Sequence, residues 1–201
     1  MGGTSAVPDP AGSAGTGAVD PARDGLVVRL LGPVRVHGPA GPAMLVGARQ
    51  RAVLGMLALR VGTVVPRWRL VDALWGERPP RTAVKSLHSH VARVRRALHE
   101  CGLPDALVTR EAGYALMISP DAVDAVRFEE YVRRGRAALA AGAPEQAVEY
   151  LRDALALWRH EVALVDAEPT GWGAAEVDRL TEVRLGAIES RWDAELRLGR
   201  H

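Results

Sequence analysis

Residues 79–100 read PPRTAVKSLHSHVARVRRALHE, and this stretch decides how the rest of the chain is interpreted. Its apolar side chains recur at alternating spacings of three and four residues, the period of one buried stripe on an α-helix. The stripe consists of Val84, Leu87, Val91, Val94 and Leu98. Two prolines open the stretch, and proline is tolerated in the first turn of a helix. We therefore predict an amphipathic helix over residues 81–99.

The opposite face of this helix is cationic and rich in short hydrogen-bond donors. Counting about 100° per residue, that face carries Thr82, Lys85, Ser86, Ser89, Arg93 and Arg96. No acid lies between Arg81 and His99, whereas a solvated helix face usually mixes both signs of charge. Phosphates and base edges require this combination of charge and donors. The pattern favours an anionic partner, and a solvated basic face is the alternative interpretation.

Charge is distributed unevenly along the chain. Residues 25–118 hold 14 basic and 5 acidic side chains, whereas residues 119–201 hold 11 basic and 16 acidic ones. Residues 1–24 are mostly Gly, Ala, Pro and Ser and have little to bury, which is typical of a disordered tail. The asymmetry indicates two domains with different partners, at residues 25–118 and 119–201.

Composition argues against several classes of protein. The single cysteine, Cys101, excludes an internal disulfide and a cysteine-rich zinc site. His88 and His90 would point about 200° apart on a helix, which is unsuited to joint metal ligation. The sequence contains neither a nucleophile elbow nor an oxyanion motif, and it lacks a secretory signal and a bilayer-spanning apolar run. We expect a cytoplasmic protein that is not an enzyme and holds no metal, cofactor or catalytic residues.

Short strands and a helix are predicted ahead of the basic helix. Residues 26–37 alternate apolar and polar side chains around a Gly-Pro break, and Ala43–Val46 is a further short strand candidate. Residues 48–60 have the apolar pattern of a helix. The first turn of that helix contains Arg49, Gln50 and Arg51. Because basic residues there oppose the helix dipole, either a phosphate or a nearby carboxylate must favour them.

A second helix and a hairpin flank the basic helix. Residues 67–75, RWRLVDALW, predict a short helix, and the Gly76–Pro80 turn leads directly from it into the basic helix. Two helices joined by a tight glycine-containing turn, the second of them basic, form a helix-turn-helix. Residues 107–118 then predict two strands joined by a glycine-containing loop, with Arg110 and Tyr114 flanking its tip. A hairpin in this position is a wing.

Together these segments resemble a known family. The sequences LLGPVRVHG, ARQRAVLGMLAL, RLVDALWGERPPRTAVKSLHSHVARVRRAL and LVTREAGYAL are similar to those of the SARP family of antibiotic regulatory proteins. Members of that family are transcriptional activators with an OmpR-type winged helix-turn-helix. The resemblance covers residues 26–118 almost without gaps, and LVDALWGE followed by PP is its most specific part. It implies that residues 25–118 form an α+β winged helix-turn-helix domain.

Residues 119–201 continue the resemblance more loosely. Apolar periodicity predicts helices over residues 125–141, 145–158 and 174–198, with a Gly-Ala-Pro break between the first two. A helix, a small-residue break and a helix form a tetratricopeptide-like hairpin. The segment SPDAVDAVRFEEYVRRGRAAL resembles the start of the bacterial transcriptional activator domain. We therefore expect an all-α tetratricopeptide-like domain in this half.

The last predicted helix carries an apolar stripe that needs a cover. The stripe consists of Val177, Leu180, Val183, Leu185, Ile188, Trp192 and Leu196. A repeat helix cannot cover its apolar face alone, and relatives continue with further helices after the LGRH stretch. Either the chain is truncated or naturally short, or this helix packs on another chain or on the first domain.

The resemblance implies a role for each candidate side chain. It places residues 81–99 in the major groove of double-stranded DNA. The base-edge candidates, which point most directly away from the core, are Lys85, Ser89 and Arg93. The phosphate candidates are Thr82, Ser86 and Arg96 on that helix, and Arg49 and Gln50 on the first helix. The wing candidates, for the adjacent minor groove or backbone, are Arg110 and Tyr114.

The resemblance also implies partners. Family members activate secondary-metabolite (antibiotic) biosynthesis clusters, bind direct repeats as side-by-side protomers and recruit RNA polymerase through sigma factor and other subunits. The candidate polymerase contact is the turn formed by Trp75, Gly76, Glu77 and Arg78. Binding to DNA would associate the protein with the nucleoid. The alternative function is a protein-interaction module that uses the tetratricopeptide-like helices without reading DNA, and the basic first half argues against it.

Overall fold

The computed structural model describes residues 27–200, so the tail predicted at residues 1–24 lies outside the described residues. Within that range the chain forms two sheets of three antiparallel strands each, together with six α-helices. The strands are β1 (Val28–Arg29), β2 (Arg35–Gly38), β3 (Gly41–Pro42), β4 (Val65–Pro66), β5 (Leu107–Thr109) and β6 (Gly113–Leu116). The helices are α1 (Ala48–Ala58), α2 (Arg67–Trp75), α3 (Ala83–Glu100), α4 (Asp124–Ala140), α5 (Pro144–Ala156) and α6 (Gly171–Arg197). A short 3-10 helix at Pro120–Ala122 precedes α4.

The winged helix-turn-helix expected from the sequence is confirmed. Helix α2 occupies the predicted residues and ends at Gly76, whose φ of +58° is a conformation that glycine adopts without steric cost. Pro79 and Pro80 lie exposed in the turn, and α3 begins after them at Ala83.

The wing is joined to the helices by a strand that the sequence did not predict. Strands β5 and β6 form the expected hairpin, with Leu107 opposite Leu116. Strand β4 pairs with the other edge of β6, where Val65 lies opposite Tyr114. Because β4 leads directly into α2, the three-stranded sheet fixes the wing relative to the helix-turn-helix.

The buried side of α3 differs from the predicted stripe at one position. It is formed by Ala83, Leu87, Val91, Val94, Ala97 and Leu98. Val84 is 52% exposed, so its assignment to the buried stripe is wrong. The two alanines shift the centre of the buried side, and Val84 falls about 75° away from that centre at ~100° per residue.

The first sheet confirms one predicted pattern and corrects another. The predicted alternation is confirmed, because Val28, Leu30, Val34 and Val36 are all buried. The strand predicted at residues 43–46 is wrong. The chain instead turns tightly at residues 39–40, so that β3 pairs with β2 at once, and Met44 and Val46 remain exposed.

Three helices form the second region, as predicted, but α6 is covered on only part of its apolar surface. Leu180 is fully buried, whereas Leu185, Trp192 and Leu196 are 57%, 56% and 60% exposed. Val177, Val183 and Ile188 are half-buried. The second half of α6 instead buries Ala187 and Ala194, and Ala194 packs with Ala138 of α4 and Ala147 of α5.

The two regions share one core, so the division at residue 118 is a division of the sequence and not of the packing. A continuous cluster of buried side chains runs from Leu30 and Met56 to Phe128 and Leu180. Asp124, at the start of α4, is 1% exposed and accepts hydrogen bonds from the backbone N–H groups of residues 30 (2.6 Å) and 31 (3.1 Å). Burial raises the pKa of Asp124, and these donors act in the opposite direction.

A second carboxylate joins α2 to α6. Asp72 accepts a hydrogen bond of 2.6 Å from the backbone N–H of Trp172 in the first turn of α6. An acid at a helix N-terminus satisfies a backbone donor that has no partner within the helix. Asp124 and Asp72 thus join the first region to the second at two separate places, the first sheet and helix α2.

Candidate nucleic-acid interface

From Thr82 to Arg96, the solvent-facing side of α3 is a cationic surface without acids, which we call the basic face; the one acid of α3, Glu100, is its last residue. Lys85, Ser89, Ala92 and Arg96 are exposed and lie opposite the buried side chains. Arg93 is also exposed, on the flank that faces α1. Among residues 27–200, neither Lys85 nor Arg93 nor Arg96 forms an ion pair. Their charges are therefore available to an external anion.

The hydroxyl groups of the basic face make only local contacts. Ser89 donates to the carbonyl oxygen of Lys85 at 3.2 Å, within the helix. Thr82 is exposed at the N-cap position of α3 but makes no side-chain capping hydrogen bond. Ser86 is half-buried. These hydroxyls can donate to an incoming acceptor without breaking a tertiary contact.

Two arginines that were not on the candidate list hold the wing against the helices. Arg95 donates to the carbonyl oxygen of Leu107 (3.2 Å) and to the hydroxyl of Thr109 (2.9 Å). Arg67 donates to the carbonyl oxygen of Glu111 at 2.6 Å. No pattern in the sequence indicates either contact, because most of the acceptors are backbone carbonyls outside the helix that carries the arginine. Arg95 and Arg67 therefore position the wing.

Two predicted side chains are not available on the surface. Tyr114 is 5% exposed, with its ring edge-to-face against His88 and 5.8 Å from the guanidinium carbon of Arg67. All four residues of β6 are buried, which removes Tyr114 from the wing tip. Gln50 is also buried, and its amide donates to the carbonyl oxygen of Val46 at 2.8 Å. Arg110 remains exposed beside the wing loop.

A basic cleft of about 500 Å³ adjoins the basic face. Arg49, His90 and Arg93 line one side of it, and Glu168 and Thr170 of the second region line the other. Burial lowers the pKa of His90, and the nearby positive charges of Arg49 and Arg93 lower it further. His90 was not among the candidate residues, and it lies on the flank of α3 that faces Arg49 of α1.

The structure supplies the predicted carboxylate for Arg51 but not for Arg49, and the phosphate alternative stays a prediction for Arg49. Arg51 lies 3.3 Å from the carboxylate of Asp166, which also pairs with Arg35 at 3.0 Å. Arg49 has no carboxylate partner in the described part of the chain, and its guanidinium carbon lies 5.4 Å from the ring centroid of Trp75. The net charge of the first region therefore overstates the cations that are free to bind an anion.

The turn between α2 and α3 is an exposed loop. Trp75 is half-buried between Arg49 and His90, whose ring centroid is 6.4 Å away. Glu77 and Arg78 are exposed, and Gly76 lies near Thr170 of the second region. The loop is therefore anchored at Trp75 and solvent-facing beyond it.

The described residues contain neither a cluster of metal ligands nor a helix suited to crossing a membrane. Within residues 27–200, no group of three or more His, Cys, Asp or Glu side chains is placed to hold a metal ion. In the same range, no helix combines the length and the apolar character that a membrane crossing requires.

Two family models match the chain. The model for the C-terminal domain of transcriptional regulatory proteins matches residues 42–116, which contain the helix-turn-helix and the wing. The model for the bacterial transcriptional activator domain matches residues 123–201, which contain α4 to α6. The first match ends at residue 116 and the second begins at residue 123.

Similar proteins are regulators of transcription by name. The regulatory protein DnrI of Streptomyces peucetius is 37% identical over 87% of this chain and 66% of its own length. The transcriptional regulator RedD of Streptomyces coelicolor is 37% identical over 81% of this chain and 47% of its length. The regulatory protein AfsR of the same species is 34% identical over 86% of this chain but only 17% of its length. The chain thus spans two thirds of these relatives or less.

A solved structure has the same architecture. The structure of Mycobacterium tuberculosis EmbR in complex with a low-affinity phosphopeptide superimposes with a TM-score of 0.77 at 33% sequence identity. The superposition covers 87% of this chain and 46% of that chain. The relative placement of the winged helix-turn-helix and the helical region is therefore shared with a solved protein.

Proposed function

This chain belongs to the SARP family of transcriptional regulators, and we propose that it activates transcription by binding specific DNA sequences. Regulators of this family are not enzymes. The basic face of α3 would enter the major groove, and Arg110 would bring the wing to the neighbouring backbone or minor groove. Lys85, Ser89 and Arg93 are the proposed base-edge contacts. The proposed phosphate contacts are Thr82, Ser86, Arg96 and Arg49.

One observation carries this proposal. The basic face is exposed, rigidly supported and without acids, although the same chain neutralises other arginines with carboxylates of the second region. Helices that only contact solvent have no need to exclude acids from a face of this length. Duplex DNA offers one phosphate charge per ~1.7 Å of axis and base-edge acceptors in the groove.

The proposal extends to the DNA site and to the contacts with the transcription machinery. We infer binding to direct repeats by side-by-side protomers, and recruitment of RNA polymerase through sigma factor with the Trp75–Arg78 turn as a contact. The proposed target is a secondary-metabolite biosynthesis cluster, and such a regulator would work in the cytoplasm on the nucleoid. These inferences rest on the family resemblance and on the exposed position of the turn.

Selection of bound duplexes from a random pool tests the proposal directly. The full chain is expected to enrich one short sequence, repeated at a spacing near one helical turn. Fluorescence anisotropy then compares the selected duplex with a shuffled duplex at physiological salt, where specific binding is typically tighter by ~10³-fold or more. Equal affinity for both duplexes would reject sequence-specific binding and favour a module that contacts proteins only.

A further inference from the structure

The basic cleft contains a histidine to which the proposed function gives no role. His90 lies in the middle of α3 and lines the cleft together with Arg49 of α1 and Arg93, which is one turn further along α3. The Nδ1 atom of His90 is buried and has no hydrogen-bond partner among residues 27–200. Nε2 is therefore the ring nitrogen that can reach an occupant of the cleft.

Two guanidinium groups converge on the imidazole of His90. Within residues 27–200, neither Arg49 nor Arg93 forms an ion pair with a carboxylate. The centroid of the six-membered and five-membered ring system of Trp75 lies 5.4 Å from the guanidinium carbon of Arg49 and 6.4 Å from the centroid of the His90 ring. Trp75 thus supports both side chains at the cleft without neutralising the charge of Arg49.

The first turn of α1 adds backbone donors to the same cleft. Gly47 and Ala48 line it, Gly47 provides no side-chain cap, and the first turn of the helix contains no acid. The first N–H groups of a helix have no acceptor within that helix, and the helix dipole favours an anion beside them. The cleft therefore combines three nitrogen-bearing side chains with backbone donors, a combination suited to a phosphate group.

One carboxylate faces the cleft from the second region. Glu168 is exposed, and it forms no ion pair in the part of the chain that the structure describes. The cations outweigh it at His90: burial lowers the pKa of His90, and the charges of Arg49 and Arg93 lower it further. In the free protein at neutral pH the imidazole is therefore uncharged, and an anion in the cleft would remove part of the reason.

We propose that His90 is the proton-linked member of a phosphate site in the basic cleft, and that it takes up one proton from solvent when a backbone phosphate of duplex DNA enters. This inference rests on the proposed DNA binding, and the occupant is a backbone phosphate because Arg93 belongs to both the cleft and the basic face. The phosphate offsets the repulsion from Arg49 and Arg93 and accepts a hydrogen bond from Nε2–H. Both effects favour the imidazolium, so specific binding becomes tighter as pH falls.

The pH dependence of binding to the selected duplex tests this inference. Between pH 7.5 and 6.0 at constant ionic strength, the affinity of the wild type should rise about fivefold, since uptake of one proton changes it by at most ~tenfold per pH unit. His90→Gln stays neutral and should bind with the same affinity at both pH values. His88→Gln and His99→Gln, which remove the other two histidines of α3, are the matched controls and should keep the wild-type pH dependence.

Proton NMR distinguishes a direct role of His90 from a structural one. The imidazole signals of His90 are identified by their absence in His90→Gln. The pKa of His90 should lie below its ordinary value of 6.5 in the free protein and above 6.5 in the complex with the duplex. A pKa that rises with inorganic phosphate but not with the duplex would overturn the inference in favour of a small phosphorylated ligand.

The outcomes separate this inference from the proposed function. Loss of the pH dependence in His90→Gln alone, together with a raised pKa in the complex, supports the proton-linked site. Binding of the wild type that is independent of pH, or an equal pH dependence in His90→Gln, overturns the site but leaves specific DNA binding intact. Failure of the wild type to prefer the selected duplex over the shuffled duplex at either pH overturns the proposed function itself.

Discussion

Helices α3 and α6 pack on the same continuous core, yet they expose opposite surfaces. Six residues of α3 are buried, and its remaining surface is polar and mostly cationic apart from Val84, Ala92 and the terminal Glu100. Only part of the apolar surface of α6 is buried, and its exposed side combines acids with Leu185, Trp192 and Leu196. Almost all of the large apolar side chains of α3 are buried within the protomer, whereas several of those of α6 are exposed.

The contrast between α3 and α6 shows the limit of an amphipathic pattern as evidence. An apolar stripe in the sequence shows what needs cover but not whether the protomer supplies it. On α3 the protomer supplies it, so the free surface is available to an anion. On α6 the described residues cover only part of the stripe, and Leu185, Trp192 and Leu196 remain exposed.

The largest expected effect comes from comparing the same leucine-to-alanine substitution in the apolar stripe of α3 and in that of α6. Leu87→Ala on α3 creates a cavity at a fully buried position and should lower the free energy of unfolding by about 2–5 kcal/mol. Leu185→Ala on α6, at a position exposed to solvent, should change it by less than ~0.5 kcal/mol. Urea denaturation of dilute protein measures both. A large loss in Leu185→Ala would mean that α6 is covered within the protomer.

Next in size is the effect of removing one cation from the basic face. Arg93→Ala should weaken specific DNA binding by about 1–3 kcal/mol, because a desolvated contact to a base edge or phosphate is lost. Arg152→Ala, on the exposed side of α5, removes the same charge elsewhere and should have little effect. Gel-shift titrations on the selected duplex measure both variants. Equal affinities for the wild type and Arg93→Ala would remove Arg93 from the interface.

A smaller effect concerns the dependence of binding on salt. The logarithm of the binding constant should fall linearly with the logarithm of the salt concentration, by about 0.9 for each phosphate neutralised. Lys85→Ala should reduce this slope by about one unit if Lys85 contacts a phosphate, and by less if it contacts only a base. Arg133→Ala, whose side chain pairs with Glu130 on α4, is the control. A flat salt response in the wild type would contradict electrostatic binding.

The smallest expected effect is a dependence of stability on pH that arises at His90. Its pKa in the folded protein is lowered by burial and by Arg49 and Arg93, so the unfolded chain binds the proton more tightly. The stabilising contribution of neutral His90 is therefore present above the unfolded pKa of about 6.5 and is lost as pH falls below it. Urea midpoints at pH 7.5 and 5.5 should differ less in His90→Gln than in the wild type. An unchanged difference would assign the dependence to other groups.

The elements predicted well from the sequence are those whose evidence is local. The bounds of α2, the basic helix and the wing hairpin all follow from periodicity and from glycines at the turns. Strand β4 escaped prediction because two residues, Val65 and Pro66, carry no periodic signal and pair with a strand 48 residues later. The strand predicted at residues 43–46 was wrong: Ala43 and Leu45 pack against the core without joining a sheet, and Met44 and Val46 are exposed.

The position and composition of the candidate surface could be predicted from the sequence, whereas the accessibility of its individual side chains could be predicted only in part. The acid-free pattern of α3 was visible in the sequence, and the exposed face has the expected composition. The burial of Tyr114 and Gln50 could not be predicted from the sequence. Tyr114 is covered because β4 pairs with its strand, and the amide of Gln50 is held by its hydrogen bond to the carbonyl oxygen of Val46. The roles of Arg67 and Arg95 were hidden for the same reason: their acceptors are set by tertiary structure.

The buried Asp124 has a consequence for the order in which the chain becomes stable during synthesis. The backbone N–H groups of Leu30 and Leu31 lie in the first part to leave the ribosome, and their acceptor follows more than ninety residues later. Until α4 emerges, these two donors remain hydrated or unsatisfied, and the first sheet lacks its closing contact. A nascent polypeptide that ends at the wing should therefore be easily cleaved by proteases, and it should become resistant once α4 has been made.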